Sequence, residues 1–133
     1  MRPVILDATL MIYLTKAGLS RIFEELKEEK ITSPRVKREV VDEVKNRGIP
    51  DVIILEKMFQ NKVFTLKEPE NKELLESLLN TRGLHATDAE VLALAGEPHG
   101  TAIIDDAVAR KTTRIYGIAY AGTLYLLMRG IKQ

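Results

Sequence analysis

Cysteine is absent from this 133-residue chain. That excludes disulfides and thiolate metal centres such as a zinc ribbon, and it fits a reducing cytoplasm. Histidine is scarce: only His85 and His99 occur, and each reads as a loop or cap residue. No Ser/His/Asp ordering, nucleophile elbow, P-loop or dinucleotide fingerprint is present. Aromatic residues make up 5%, leaving few platforms on which bases would stack. No stretch approaches the roughly 20 apolar residues that span a membrane. The N-terminal MRPVILDATLMIYL is interrupted by Asp7, and no small-residue cleavage site follows it, so it does not read as a signal peptide. Charge of one sign is missing as well. Lys and Arg total 20 against 19 acids, a net +1, whereas general nucleic-acid binders are more basic. Together these absences point to a cytoplasmic protein with no membrane partner.

What is present is ordinary for a globular protein, 45% apolar and 29% charged. The length suits one domain over residues 1–133 and leaves no room for a second. Apolar runs alternate with helical patterns. Pro3 to Leu6 is continuously apolar and reads as a buried strand. A helix is expected from Thr9 to a break near Gly18, and a second over Ser20 to Lys27. Lys30 to Thr32 reads as the next strand. Ser33 and Pro34 then open a helix as N-cap and first residue, which Gly48-Ile49-Pro50 should end. Helix Asp51 to Gln60, strand Val63 to Leu66 and helix Pro69 to Asn80 follow. The remainder reads as helix Thr87 to Ala95, strand Thr101 to Ile104, helix Ala107 to Tyr116, a short strand Ile118 to Tyr120 and helix Gly122 to Arg129. Such alternation predicts a parallel sheet covered by helices, with ligands bound at the carboxyl ends of the strands.

Four acidic positions gain meaning from that rule. Asp7 follows the first strand, and Asp105 and Asp106 follow the fourth. Asp88 lies in the first turn of an Ala-rich helix, and Glu39 lies in the helix opened by Ser33. Carboxylates gathered at one sheet edge suit a hard divalent cation. Each also has a purely structural reading. Asp7 and one of Asp105 and Asp106 can cap helices, and Thr87-x-x-Glu90 has the form of a capping box. The second carboxylate at 105–106 would repel its neighbour unless a cation or base offsets it. Glu39 and Glu43 both border the apolar stripe Val36, Val40 and Val44, and Glu39 is one turn nearer the expected site edge. Basic residues lie close in sequence to these acids, in RVKR at 35–38 and at Arg110, Lys111 and Arg114.

The segments VILDAT, SPRVKREVVDEV, TDAEVLALA and IIDDAVAR, with the late Tyr116-Gly117-Ile118 and Ala121-Gly122-Thr123-Leu124, resemble the PIN-domain family of small metal-dependent ribonucleases. The resemblance runs over nearly the whole chain. It implies a three-layer α/β/α sandwich with a central, mainly parallel sheet of four to five strands. It implies Mg²⁺ or Mn²⁺ and hydrolysis of RNA phosphodiesters, with Asp7, Glu39, Asp88 and Asp106 as catalytic acids. Metal ligands are expected from Asp7, Asp88 or Glu90, and Asp106 or Asp105. Thr9 matches a small hydroxyl or amide position of the family, and Arg35, Lys37, Lys111 and Arg114 are candidates for phosphate contacts. Many members are toxins of toxin–antitoxin pairs, which implies a homodimer and a separate antitoxin partner. Two other classes compete: a receiver-type phosphoacceptor module, and a PIN-like protein without activity that serves as an interaction scaffold.

Overall fold

The computed structural model describes residues 2–43, 50–97 and 99–132. Five parallel strands form one sheet in the order β3-β2-β1-β4-β5: β1 (Val4–Leu6), β2 (Lys30–Thr32), β3 (Thr65–Leu66), β4 (Thr101–Ile103) and β5 (Ala119–Ala121). β1 is central because every residue in it is apolar and its two faces are both covered. Ile5 pairs with Ile31 on one side and Ala102 on the other, and all three are fully buried. The order differs from the 2-1-3-4-5 order of receiver-type modules, so that alternative fails on topology.

The helices are α1 (Ala8–Lys16), α2 (Arg21–Glu25), α3 (Pro34–Lys37), α4 (Pro50–Gln60), α5 (Lys72–Leu79), α6 (Ala86–Gly96), α7 (Ala107–Tyr116) and α8 (Thr123–Lys132). Right-handed crossovers place α1 to α4 on one face and α5 to α7 on the other. Accordingly α1 packs on α4, and α5 packs on α6, which lies across β1 and β4. The result is a three-layer α/β/α sandwich. α6 is buried on nearly every side, from Ala89 through Val91 to Ala95, because it lies between the sheet and α5. Among the described residues no helix is long and apolar enough to cross a membrane.

Several elements differ from expectation, and in three the reason is local. β3 does not begin at Val63, because Phe64 turns inward against Phe23 and Phe59, with ring centroids 5.3 and 4.8 Å away. α2 stops at Glu25, since Leu26 goes extended and the Lys30 ammonium donates to its carbonyl at 2.7 Å. α5 starts only at Lys72, where the Asn71 side chain accepts from the Leu74 amide. The expected helix end at Gly48-Ile49, and Val44 of the apolar stripe, lie outside the described residues.

The helix after Ser33 carries a less predictable feature. Ser33 caps it through Oγ and Pro34 opens it, but after Lys37 the chain widens into a π-helical turn, Arg38–Asp42. The Glu43 amide donates to the Arg38 carbonyl at 2.8 Å, an i to i+5 closure. Glu39 sits in that turn.

Candidate active site

β1 and β4 are neighbours, yet the connections leaving them run to opposite sides of the sheet. That is the switch point of the sheet, and a crevice opens beyond the carboxyl ends of these strands. Asp7 leaves β1 and caps α1, its Oδ1 accepting from the Leu10 amide at 2.8 Å. Asp106 follows β4 and caps α7, its Oδ2 accepting from the Ala109 amide at 2.9 Å. Each cap uses one oxygen of its carboxylate. The first turn of α6 brings in Asp88, and the π turn brings in Glu39. Asp7, Thr9, Glu39, Asp88, Asp105 and Asp106 line one cleft of about 640 Å³, together with His85 and Thr87. The topology thus gathers residues from four separate stretches of the chain.

Among the described residues no lysine or arginine lines this cleft, and the carboxylates perturb one another. Asp7 has its pKa raised to about 6, first by burial and further by the charges of Asp88, Asp105 and Asp106, against the lowering effect of the Leu10 amide. Asp88 is also raised, chiefly by burial and then by Asp106, while the amide and charge of His85 act the other way. Among the described residues no three of these groups are drawn together tightly enough to enclose an ion. The carboxylates offer oxygen donors alone, and Asp7 and Asp88 are partly desolvated beside further negative charge. That combination fits a hard divalent cation such as Mg²⁺ or Mn²⁺.

Two neighbouring acids are engaged elsewhere. Asp105 accepts from the Thr123 amide at 3.1 Å and from the Thr123 hydroxyl, and pairs with Arg110 at 3.3 Å. Arg110 also donates to the Ile104 carbonyl and lies over the Tyr120 ring. This clamp ties the ends of β4 and β5 together. It needs Gly122, where a Cβ would stand 2.5 Å from the Arg110 Nη2 and 2.9 Å from the Asp105 Oδ1. Gly122→Ala is therefore expected to cost about 1–2 kcal/mol of stability, read from urea melts.

Glu90 does not line the cleft; it pairs with Arg35 at 2.5 Å. Nor does it form a capping box with Thr87. α6 begins one residue earlier than expected, at Ala86 with His85 as N-cap, so Thr87 lies inside the helix. The Thr87 hydroxyl instead donates to Glu39 Oε1. Asp88 takes the position three residues past the cap, bonded to the His85 amide.

The basic candidates are not brought into the cleft. Arg35 is held by Glu90, and Lys37 lines a separate depression with Asp42, Glu56 and Phe59. Lys111 is exposed on α7, and Arg114 donates to the Tyr120 hydroxyl at 3.3 Å. The sequence did not mark Arg110 or Thr123 for the roles they take here, whereas His85 is a cap residue as expected and also lines the cleft. The late Gly122-Thr123 pattern was the available clue to the clamp.

A family model described as a PIN domain matches residues 3–133, nearly the whole chain. The chain belongs to the PIN-domain family. The fold of this PIN domain is similar to the crystal structure of PAE2754 from Pyrobaculum aerophilum, with a TM-score of 0.67. That likeness covers 99% of this chain and 98% of the other at 16% sequence identity, so it speaks to the fold alone. No curated protein matches the sequence. PIN domains are generally nucleases and typically use divalent metals, a class that agrees with the oxygen-rich cleft at the switch point.

Proposed function

We propose that this PIN domain is a divalent-metal-dependent endoribonuclease that hydrolyses RNA phosphodiester bonds. The observation that carries the reading is the convergence of Asp7, Glu39, Asp88 and Asp106 on one cleft whose lining, among the described residues, includes no lysine or arginine. Asp7, Asp88 and Asp106 would hold Mg²⁺ or Mn²⁺. Bound there, the ion supplies an activated water and offsets charge on the attacked phosphate and the leaving oxygen. Glu39 enters from a different helix and would serve the reaction as a proton acceptor in the cleft. Thr9, exposed in the first turn of α1 and lining the cleft, offers a hydroxyl to a phosphate oxygen. Asp105 and Glu90 keep their protein partners.

Because the cleft is acidic, RNA docks only once its charge is offset. Lys111 and Arg114, on the helix that Asp106 opens, are the flanking cations suited to phosphates further along the strand, with Arg35 and Lys37 on the side of Glu39. By the same reading the protein acts in the cytoplasm as a homodimeric toxin of a toxin–antitoxin pair, silenced by a separate antitoxin.

The direct test is incubation with a mixed single-stranded RNA pool plus Mn²⁺, Mg²⁺ or chelator. Cleavage is expected with either metal and lost on chelation. Glu39→Gln lowers it while Glu43→Gln leaves it near wild type. Cleavage that survives chelation would refute the reading, and equal loss in both glutamine variants would refute the choice of Glu39.

A further inference from the structure

We propose that Thr87 is a positioning residue for Glu39, the outer rung of a brace between α6 and the α3 helix with its π turn. This rests on the nuclease reading of the same site. Thr87 and Glu90 are three apart on α6 and so share a face of that helix. Arg35 and Glu39 are four apart on the opposing helix. Two cross-links join them: Thr87 Oγ1 donates to Glu39 Oε1, and Arg35 Nε donates to Glu90 Oε2 at 2.5 Å. The Arg35–Glu90 rung lies away from the cleft, with the Glu90 side chain 14% exposed and that of Arg35 41% exposed. It sets the separation of the two helices. The Thr87 rung lies at the cleft, where both of its residues are part of the lining.

Glutamate is among the side chains with the most rotamer freedom to lose, and Glu39 is only half buried. Among the described residues its hydrogen-bond partner is Thr87. The hydroxyl therefore selects one orientation of the carboxylate before any ligand arrives. It engages one oxygen and leaves the other for the cleft. A group fixed by its supporting shell needs no ordering when metal or substrate binds. Glu39 lies in the wide π turn, so the brace ties that irregularity of the helix to α6.

The test uses Mn²⁺ alone as probe, titrated against the whole protein and followed by electron paramagnetic resonance, alongside kcat and KM for RNA cleavage. Thr87→Val is expected to lower kcat about tenfold with KM and Mn²⁺ affinity little changed, since Glu39 is not among the residues that would hold the ion. Thr87→Ser restores kcat. In a Glu39→Gln background Thr87→Val adds nothing further, an outcome that a merely structural threonine would not produce. If valine prevents folding, Thr87→Ala removes the same donor without an apolar branch and must give the same loss. Wild-type kcat in the valine or alanine variant, a roughly tenfold loss of Mn²⁺ affinity in either, or effects additive with Glu39→Gln, would overturn the positioning role while leaving the nuclease reading intact. Failure of the wild type to bind Mn²⁺ at all would overturn both.

Discussion

Asp7→Asn is expected to abolish RNA cleavage and, in the same protein, to raise the melting temperature measured without metal. The two effects share a cause. Asp7 is mostly buried, its pKa is raised from 3.8 to about 6, and three further carboxylates contribute to the rise. A carboxylate whose folded-state pKa lies above its unfolded one binds more protons in the folded state between the two values. Stability contributed by the protonated form is present below pH 3.8 and is lost as pH rises through about 6. Over that window the loss is on the order of 2–3 kcal/mol. Asparagine stays neutral, and its carbonyl oxygen still accepts from the Leu10 amide, so the cap survives. At neutral pH the variant should therefore melt roughly 5–10 °C higher than metal-free wild type. Its melting temperature should decline less from about pH 4 to 7 than that of wild type, Asp88 keeping its own raised pKa from burial. Added Mn²⁺ should stabilise wild type and hardly affect the variant. Activity falls by about a hundredfold or more, corresponding to roughly 3 kcal/mol of transition-state stabilisation. Calorimetry across pH with and without Mn²⁺ checks the first part. A variant that melts below wild type at pH 7 would remove the claim that Asp7 is held at a cost to the fold.

Asp106→Asn and Asp105→Ala should separate function from support at adjacent residues. Asp106 has one protein bond, to the Ala109 amide, and asparagine preserves it. Its stability should stay within about 0.5 kcal/mol of wild type while cleavage drops about a hundredfold. Asp105 holds Thr123 through two bonds and pairs with Arg110, but its side chain is 62% exposed. Removing it should cost about 1–2 kcal/mol, since exposed pairs are worth little and the hydrogen bonds carry most of the loss. Cleavage should fall less than about tenfold. The measurement is kcat and a urea midpoint for each variant. Loss of activity in Asp105→Ala matching that in Asp106→Asn would mean that Asp105 also serves the metal.

Much of the fold is written locally in the chain. Lys30–Thr32 and Ala107–Tyr116 have the bounds their sequence predicts, because punctuation marks them: Ser33-Pro34 after one, and Gly117, at φ +70°, after the other. The acids at strand ends, Asp7 and Asp106, were legible for the same reason, since an apolar run fixes where its last residue points. The π turn was not legible, because an i to i+5 closure leaves no spacing that 100° per residue can show. The start of α6 was misplaced by a residue because Thr87 looks like a better cap than His85. The partners of Glu39 and Glu90 lie 48 and 55 residues away, at Thr87 and Arg35, and such pairings have no local pattern at all. The position of basic side chains relative to the cleft is likewise a property of the packed surface rather than of neighbouring residues.

The placement of β1 between β2 and β4 also sets an order of assembly. β1 pairs with β2 early in the chain, but Leu6 meets Ile103 only after the whole crossover through α5 and α6 is complete. Contacts of such separation form late and slowly. A nascent chain that has reached β3 holds Asp7 and Glu39 without Asp88 or Asp106. On the nuclease reading proposed above, the acidic edge at the switch point comes into being only when synthesis is nearly done.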